Sequence, residues 1–195
     1  MIAPMHAIRG HAEENIRFIR DTMERASSFT AVPGLGGMAM GAVALAASAV
    51  ASRQTTPARW LAVWLVAAVV AIVIGAVAMG RKARRTRSDL LSGPARRFLL
   101  TLTAPLGAGA VLTLVLARSG QTAILPGVWL LLYGTAVVSA GATSVRPVLA
   151  MGACFMLLGA AALASPSTWG DAYLAAGFGG VQIAFGARIA ARHGG

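Results

Sequence analysis

Residues 60–117 read WLAVWLVAAVVAIVIGAVAMG, then RKARRTRSDLLSGPARR, then FLLTLTAPLGAGAVLTLVLA. The first and third pieces carry no acid and no base, and each is near the ~20 residues that an α-helix needs to cross a bilayer. The middle piece holds seven basic residues, one acid and no aromatic. Two spans joined by a basic loop is the reading these stretches impose, and it organises the rest of the chain.

Across all 195 residues, 57% are hydrophobic and 12% charged, which is the composition of a membrane protein rather than of a soluble domain. Six apolar segments follow from a walk along the chain: residues 31–51, 60–80, 98–117, 122–143, 147–164 and 172–191. The fold class is therefore an all-α integral membrane protein, a bundle of six transmembrane helices (residues 31–195) behind a cytoplasmic N-terminal segment (residues 1–30). The N-terminal stretch lacks the apolar core and small-residue cleavage site of a signal peptide, so the first span is expected to direct insertion. In the sixth span Arg188 must reach an interface for the helix to fit.

Charge then sets the sidedness. With the N-terminus inside, Arg9, Arg17, Arg20, Arg25, the seven basic residues of the loop, Arg146, Arg188 and Arg192 are inside, and only Arg53, Arg59 and Arg118 are outside. Such an excess marks the cytoplasmic side, so both termini and the loop over 81–97 are placed there, in the bacterial inner membrane. The loop residues Arg81, Lys82, Arg84, Arg85, Arg87, Arg96 and Arg97 are read as topology determinants and contacts for anionic lipid headgroups. A protein partner or nucleic acid is the lesser reading, because the loop has no aromatics to stack bases and no nucleic-acid motif.

Ahead of the first span, HAEENIRFIRDTMERASSF places Ala12, Ile16, Ile19, Met23 and Ala26 on one helical face, with acids in the first turn and Arg25 in the last. A helix of about four turns is marginal alone, so the face of Ile16, Ile19 and Met23 is expected to lie on the membrane, pack on the bundle or dock on another chain. His11 and Glu14 stand three apart with His6 five residues earlier. No other helix offers matching ligands, so no metal site is expected.

The spans also suggest hairpin repeats. GAVALAASAVASRQTTPARWLAVWLV from Gly41 and GAVLTLVLARSGQTAILPGVWLLLYG from Gly109 share Gly-Ala-Val, Gln-Thr and Trp-Leu. GACFMLLGAAALASPSTWGDAYL from Gly152 keeps Gly-Ala and a turn tryptophan. Trp60, Trp129 and Trp169 fall at the outer interface, where amphipathic rings are favoured. Small residues recur four apart at Gly37 and Gly41 and again at Ala176, Gly180 and Ala184, a spacing that lets helices touch closely. Pro105 inside the third span predicts a kink, with the Thr101 side chain relieving the freed carbonyl.

Little chemistry is offered. Histidine is absent from every span, which excludes a bis-histidine haem and a histidine proton relay in this chain alone. No acid or base lies near a span centre, and Asp171 stands at the outer mouth of the sixth. Tyr133, Cys154 and Gln182 are polar at mid-depth, with Thr135 and Ser139 nearby. Interhelical hydrogen bonding is the favoured reading and a small pocket the alternative. Cys154 has no basic neighbour in sequence to activate it. No catalytic constellation, cofactor or enzyme activity is expected.

The runs HAEENIRFIRDTMERASSFTAVPGLGG, SVRPVLAMGACFMLLGAAALASPSTWGDAYLAAGFGG and ARIAARHGG resemble a bacterial family of six-span membrane proteins, over essentially the whole chain. The resemblance implies the six-helix fold and carries no activity with it. Through that family's association with winged-helix regulators it implies a regulated or sensory role. A secondary likeness at Gly152, Gly159, Pro166, Gly179 and Gly186 is to hairpin-repeat acid-resistance membrane proteins. From the sequence, the chain reads as a regulatory, sensory or accessory membrane subunit, or a homo-oligomer; a small transporter or channel for an uncharged or apolar solute is the alternative.

Overall fold

The computed structural model describes residues 15–19, 23, 33–85, 93–141 and 146–193. Among these residues every long element is a helix and there is no strand. We number the long helices α1 (Gly34–Ala51), α2 (Pro57–Arg85), α3 (Gly93–Arg118), α4 (Leu125–Gly141) and α5 (Arg146–Ala164). The sixth, α6, runs through Gly170–Leu174, a π-helical segment Ala175–Val181, and Gln182–His193. Six described helices are thus long and apolar enough to cross a membrane, in register with the six hydropathic segments.

The helix ends are written in the sequence. Pro57, Pro94, Pro126 and Pro147 stand in the first turns of α2 to α5, where proline's missing N–H costs nothing and its fixed φ suits the helix. Thr56 assists α2, its hydroxyl oxygen accepting from the Arg59 N–H at 3.4 Å. α3 closes on Gly120 at φ 73°. The Gln121 N–H reaches the Leu116 carbonyl at 2.8 Å and the Gly120 N–H the Ala117 carbonyl at 3.3 Å. These two bonds are a Schellman close, and the left-handed residue they need is why glycine stands there.

Two ends were placed differently by hydropathy alone. α2 continues to Arg85 and α3 begins at Gly93, so most of the basic stretch is helix termini rather than loop. Charged residues extend a helix beyond the apolar run that hydropathy detects. Pro105 lies inside α3, but the Thr101 hydroxyl donates to the Arg97 and Phe98 carbonyls at 2.9 and 3.0 Å. It therefore serves the preceding turn and not its own freed carbonyl. Gln54 and Gln121, aligned by the proposed repeat, also act differently. Gln54 donates Nε2 to the Val50 carbonyl at 2.9 Å, whereas Gln121 uses its backbone.

Packing divides the helices into two kinds. Within the most apolar window of α1, α4, α5 and α6, 33%, 44%, 28% and 33% of residues are buried, against 6% in α2 and in α3. The first four form the core, and α2 flanks α1 while α3 flanks α4. Glycine sets the core distances. A Cβ on Gly134 of α4 would lie 2.7 Å from the Met156 nitrogen and 2.9 Å from the Gly152 oxygen, and one on Gly152 of α5 would lie 2.9 Å from the Gly134 oxygen. Backbone therefore meets backbone, the close approach that small residues allow in membrane bundles. Gly127 and Gly159 repeat the arrangement one heptad away, next to Leu163 and Leu131 respectively.

α1 and α6 meet in the same way. Gly34 abuts Gly186 and Ala190, and Gly41 abuts Gly179 and Ile183. The small-residue spacing at Gly37 and Gly41 thus packs a neighbouring helix of the same chain. The second stripe does not: Ala176, Gly180 and Ala184 share a face, but that face is exposed. Buried Gly177, Gly179, Gln182 and Gly186 form the contact side instead.

Replacing Gly134 with Ala should cost ~1–3 kcal/mol, because the added methyl meets backbone that cannot swing aside. Gly107→Ala on α3, where a Cβ meets nothing within 4 Å, should be neutral or slightly stabilising by the ~0.5–1 kcal/mol of helix preference. Thermal unfolding of the two purified variants in detergent measures the contrast.

Candidate functional site

The end of the bundle that holds Arg53, Arg59 and Arg118 is poor in arginine and contains a set of interhelical polar bonds. Its centre is Asp171, in the first turn of α6, where a negative charge is favoured by the helix dipole. Trp60 and Trp64 stand four apart on α2 and so share a face. Both donate indole N–H to the same carboxylate oxygen, Oδ1 of Asp171, at 2.8 and 3.2 Å. Ser48 of α1 donates its hydroxyl to the Asp171 main-chain carbonyl at 3.1 Å. Hydrogen bonds onto a charged acceptor are the stronger kind.

The network continues sideways through aromatic stacking. The Trp60 ring lies parallel to that of Trp129 on α4, with centroids 5.6 Å apart and planes within 4°. Trp129 in turn donates Nε1 to Thr113 Oγ1 of α3 at 2.8 Å, and that hydroxyl donates to the Gly109 carbonyl at 2.7 Å. Ser165, just past α5, pairs with the Tyr173 hydroxyl at 2.8 Å. Bonds and stacking thus join α1, α2, α3, α4 and α6 in one contiguous set, with the Ser165–Tyr173 pair fastening the end of α5 to α6. Of the three tryptophans read as an interfacial belt, Trp60 and Trp129 turn inward, and only Trp169, 58% exposed, faces outward.

A second polar site lies halfway along the helices. Tyr133 on α4 donates its hydroxyl to Gln182 Oε1 on α6 at 3.4 Å. Three rings close around it: Tyr133 meets Phe155 and Phe178 edge-on at 4.7 and 5.1 Å, and Phe155 meets Phe178 at 5.3 Å. Gln182 is 5% exposed. Of the mid-depth polar residues Tyr133, Cys154 and Gln182, the first and last are thus joined by an interhelical hydrogen bond. Cys154 does not join it. The thiol is half-buried and makes no hydrogen bond, because it precedes Phe155 and points ~100° away around α5. Thr135 bonds the Leu132 carbonyl of its own helix at 2.8 Å, and Ser139 is exposed.

Between the two sites runs the π-helical segment Ala175–Val181, a form common at functional positions in otherwise α-helical stretches. Phe178 of the aromatic trio belongs to it. Gly177 faces Leu130 and Phe155 there, and Gly179 faces Leu45.

At the opposite end, Arg81, Arg84, Arg85, Arg96 and Arg97 are exposed as the sequence suggests. Lys82 departs from them: it is 5% exposed. Its ammonium is thus not presented with the arginines. Arg87, His6, His11 and Glu14 lie outside the described residues. No group of three or more metal-ligating side chains occurs among the described ones. Of the N-terminal apolar face, Ile16, Ile19 and Met23 are helical and 66%, 56% and 68% exposed.

Sequence reasoning placed Asp171 but missed its partners. The signal was a lone acid at one helix end and two tryptophans four apart at the same level of another helix. No known protein family, curated protein or solved structure matches the chain.

Asp171→Ala leaves two indole N–H groups without their acceptor, at ~1–3 kcal/mol for each buried donor. Asp171→Asn retains an oxygen acceptor and should lose less. Gln182→Leu should cost ~1 kcal/mol or less, the usual scale for one membrane hydrogen bond. Melting temperatures should therefore fall most for the alanine variant and least for the leucine variant, measured side by side in one detergent.

Proposed function

We propose that this chain is a multi-pass subunit of the bacterial inner membrane, with both termini and the basic α2–α3 junction in the cytoplasm. It acts without catalysis, as a regulatory, sensory or accessory partner of another protein. One observation carries the reading. Ile16, Ile19 and Met23 stand exposed on helical backbone ahead of the bundle, and an apolar helical face of that length requires a cover. A cytoplasmic partner supplies that cover, and the exposed arginines of the α2–α3 junction supply anionic-lipid contact. The excess of arginine at one end supports the orientation.

The choice of a non-catalytic role follows from the polar groups. The Tyr133 hydroxyl is bonded to Gln182 within an aromatic enclosure, and the Asp171 carboxylate is bonded by two indoles. The second reading, a transporter for an uncharged or apolar solute, rests on the π-helical segment that adjoins Gln182. Such segments mark places where a helix can change register.

The double variant Ile19→Ser, Met23→Ser tests the first reading. It should remain folded and six-spanning, with reporter fusions at Gly195 and near Ser88 both cytoplasmic. It should lose the protein that co-purifies with the parent chain in native lipid. Loss of detergent stability in the isolated variant would instead make the helix a collar of the bundle.

A further inference from the structure

The outward face of α6 changes character along its length. Ala176, Gly180 and Ala184 are exposed on it, followed by Arg188 and Arg192, which are exposed as well. The two arginines stand four apart in Gln182–His193, and Ala184 is four before the first, so the three share a face. Packing fixes their depth. Gly34, the first residue of α1, abuts Gly186 and Ala190, which flank Arg188 in sequence, and Gly36 abuts Ala78 of α2. Arg188 is therefore level with the first turn of α1 and with Gly80, where the apolar run of α2 ends. Arg192 lies one turn, ~6 Å, further out, near the level of the exposed Arg84.

A guanidinium keeps its charge at the edge of an apolar layer and needs an anion there. Among the described residues the one acid is Asp171, at the opposite end of the same helix, roughly 25 Å away at 1.5 Å per residue. The phosphate of a lipid headgroup lies at the depth of these arginines, and the planar guanidinium fork takes two of its oxygens. Beyond Arg188 towards mid-depth, Ala184, Gly180 and Ala176 carry nothing larger than a methyl, so an acyl chain can lie against the helix itself. A second copy of this chain fits the same face worse. A twofold axis along the membrane normal would set Arg188 and Arg192 against their own counterparts at equal depth, like charge on like charge.

We propose that Arg188 and Arg192 hold the phosphate of an anionic phospholipid whose acyl chain lies along Ala184, Gly180 and Ala176. This surface is separate from the α2–α3 junction and does not depend on the subunit role proposed above.

Native mass spectrometry of the full chain in non-ionic detergent, titrated with phosphatidylglycerol or phosphatidylcholine, tests it. Phosphatidylglycerol should form a saturable one-lipid complex, roughly tenfold tighter than that of phosphatidylcholine. Arg188→Gln and Arg192→Gln should each weaken it roughly tenfold, the scale of one hydrogen bond to a charged group. The double variant Arg96→Gln, Arg97→Gln removes the same charge from α3 and should leave that complex unchanged. Ala184→Leu, which adds bulk to an exposed position, should also weaken it. Should Arg188→Gln fail to fold, Arg192→Gln and Ala184→Leu decide. Equal affinities for the two lipids, glutamine variants that bind like the parent, or an equal loss in the α3 variant would each overturn the site. Displacement of the lipid by millimolar inorganic phosphate, with Ala184→Leu behaving like the parent, would overturn the lipid as its occupant.

Discussion

Two indole N–H groups meeting on one carboxylate oxygen tie α2, which buries little of its own apolar surface, to the first turn of α6. α2 and α3 bury only 6% of their most apolar windows, and an apolar helix gains nothing from the hydrophobic effect by leaving lipid for another apolar helix. Directional bonds must therefore supply what burial cannot. Asp171 does this for α2 through Trp60 and Trp64. The stacked Trp60–Trp129 pair and the Trp129–Thr113 bond pass the connection to α4 and α3. At the other end, Ala83, Ala95, Phe98 and Ala140 form a small apolar contact among the same three helices. The flanking helices are thus fastened at both ends, with polar bonds at one and close packing at the other.

The core obeys a different constraint, which is steric. Gly134 against Gly152 and Gly41 against Gly179 set helix separations that no side chain would permit. Close approach increases dispersion contact and brings main chains near enough that polar side chains of modest length reach across. Ser48 spans to the Asp171 carbonyl only because α1 and α6 lie this close. The same approach encloses Tyr133 and Gln182 with Phe155 and Phe178. Glycine contacts and polar contacts are therefore two consequences of one geometry.

Much of this was legible in the residues, and the failures have physical causes. The six apolar runs were plain because hydropathy over ~20 residues is a strong signal. The facing direction of α6 was not, since small residues occupy both of its sides. Ala176, Gly180 and Ala184 satisfy the four-residue spacing as well as the buried glycines do, and composition cannot rank two equally smooth faces. The inward contacts of the tryptophans were hidden for a related reason. An indole at a helix end suits an interface on its amphipathic character alone, and only the neighbouring helix shows that Trp60 and Trp129 turn inward. Tyr133 and Gln182 stood out with Cys154 because few polar groups lie at mid-depth in apolar helices, and the partners within that group were not legible. Cys154 was grouped with them by depth, and helical phase removes it.

The π-helical segment Ala175–Val181 bears on how this chain tolerates change in length. A ring closed from residue i to i+5 holds one residue more than the α-helical ring. Within the other long helices, losing a single residue would turn everything beyond it by ~100° and bring outward-facing side chains into the core. Within α6 the surplus already exists. A single-codon loss between Asp171 and Gln182 is absorbed as the segment tightens to α-helix, leaving the carboxylate toward its indoles and the amide toward its tyrosine. The last helix is the place where the length of this protein can drift without loss of phase.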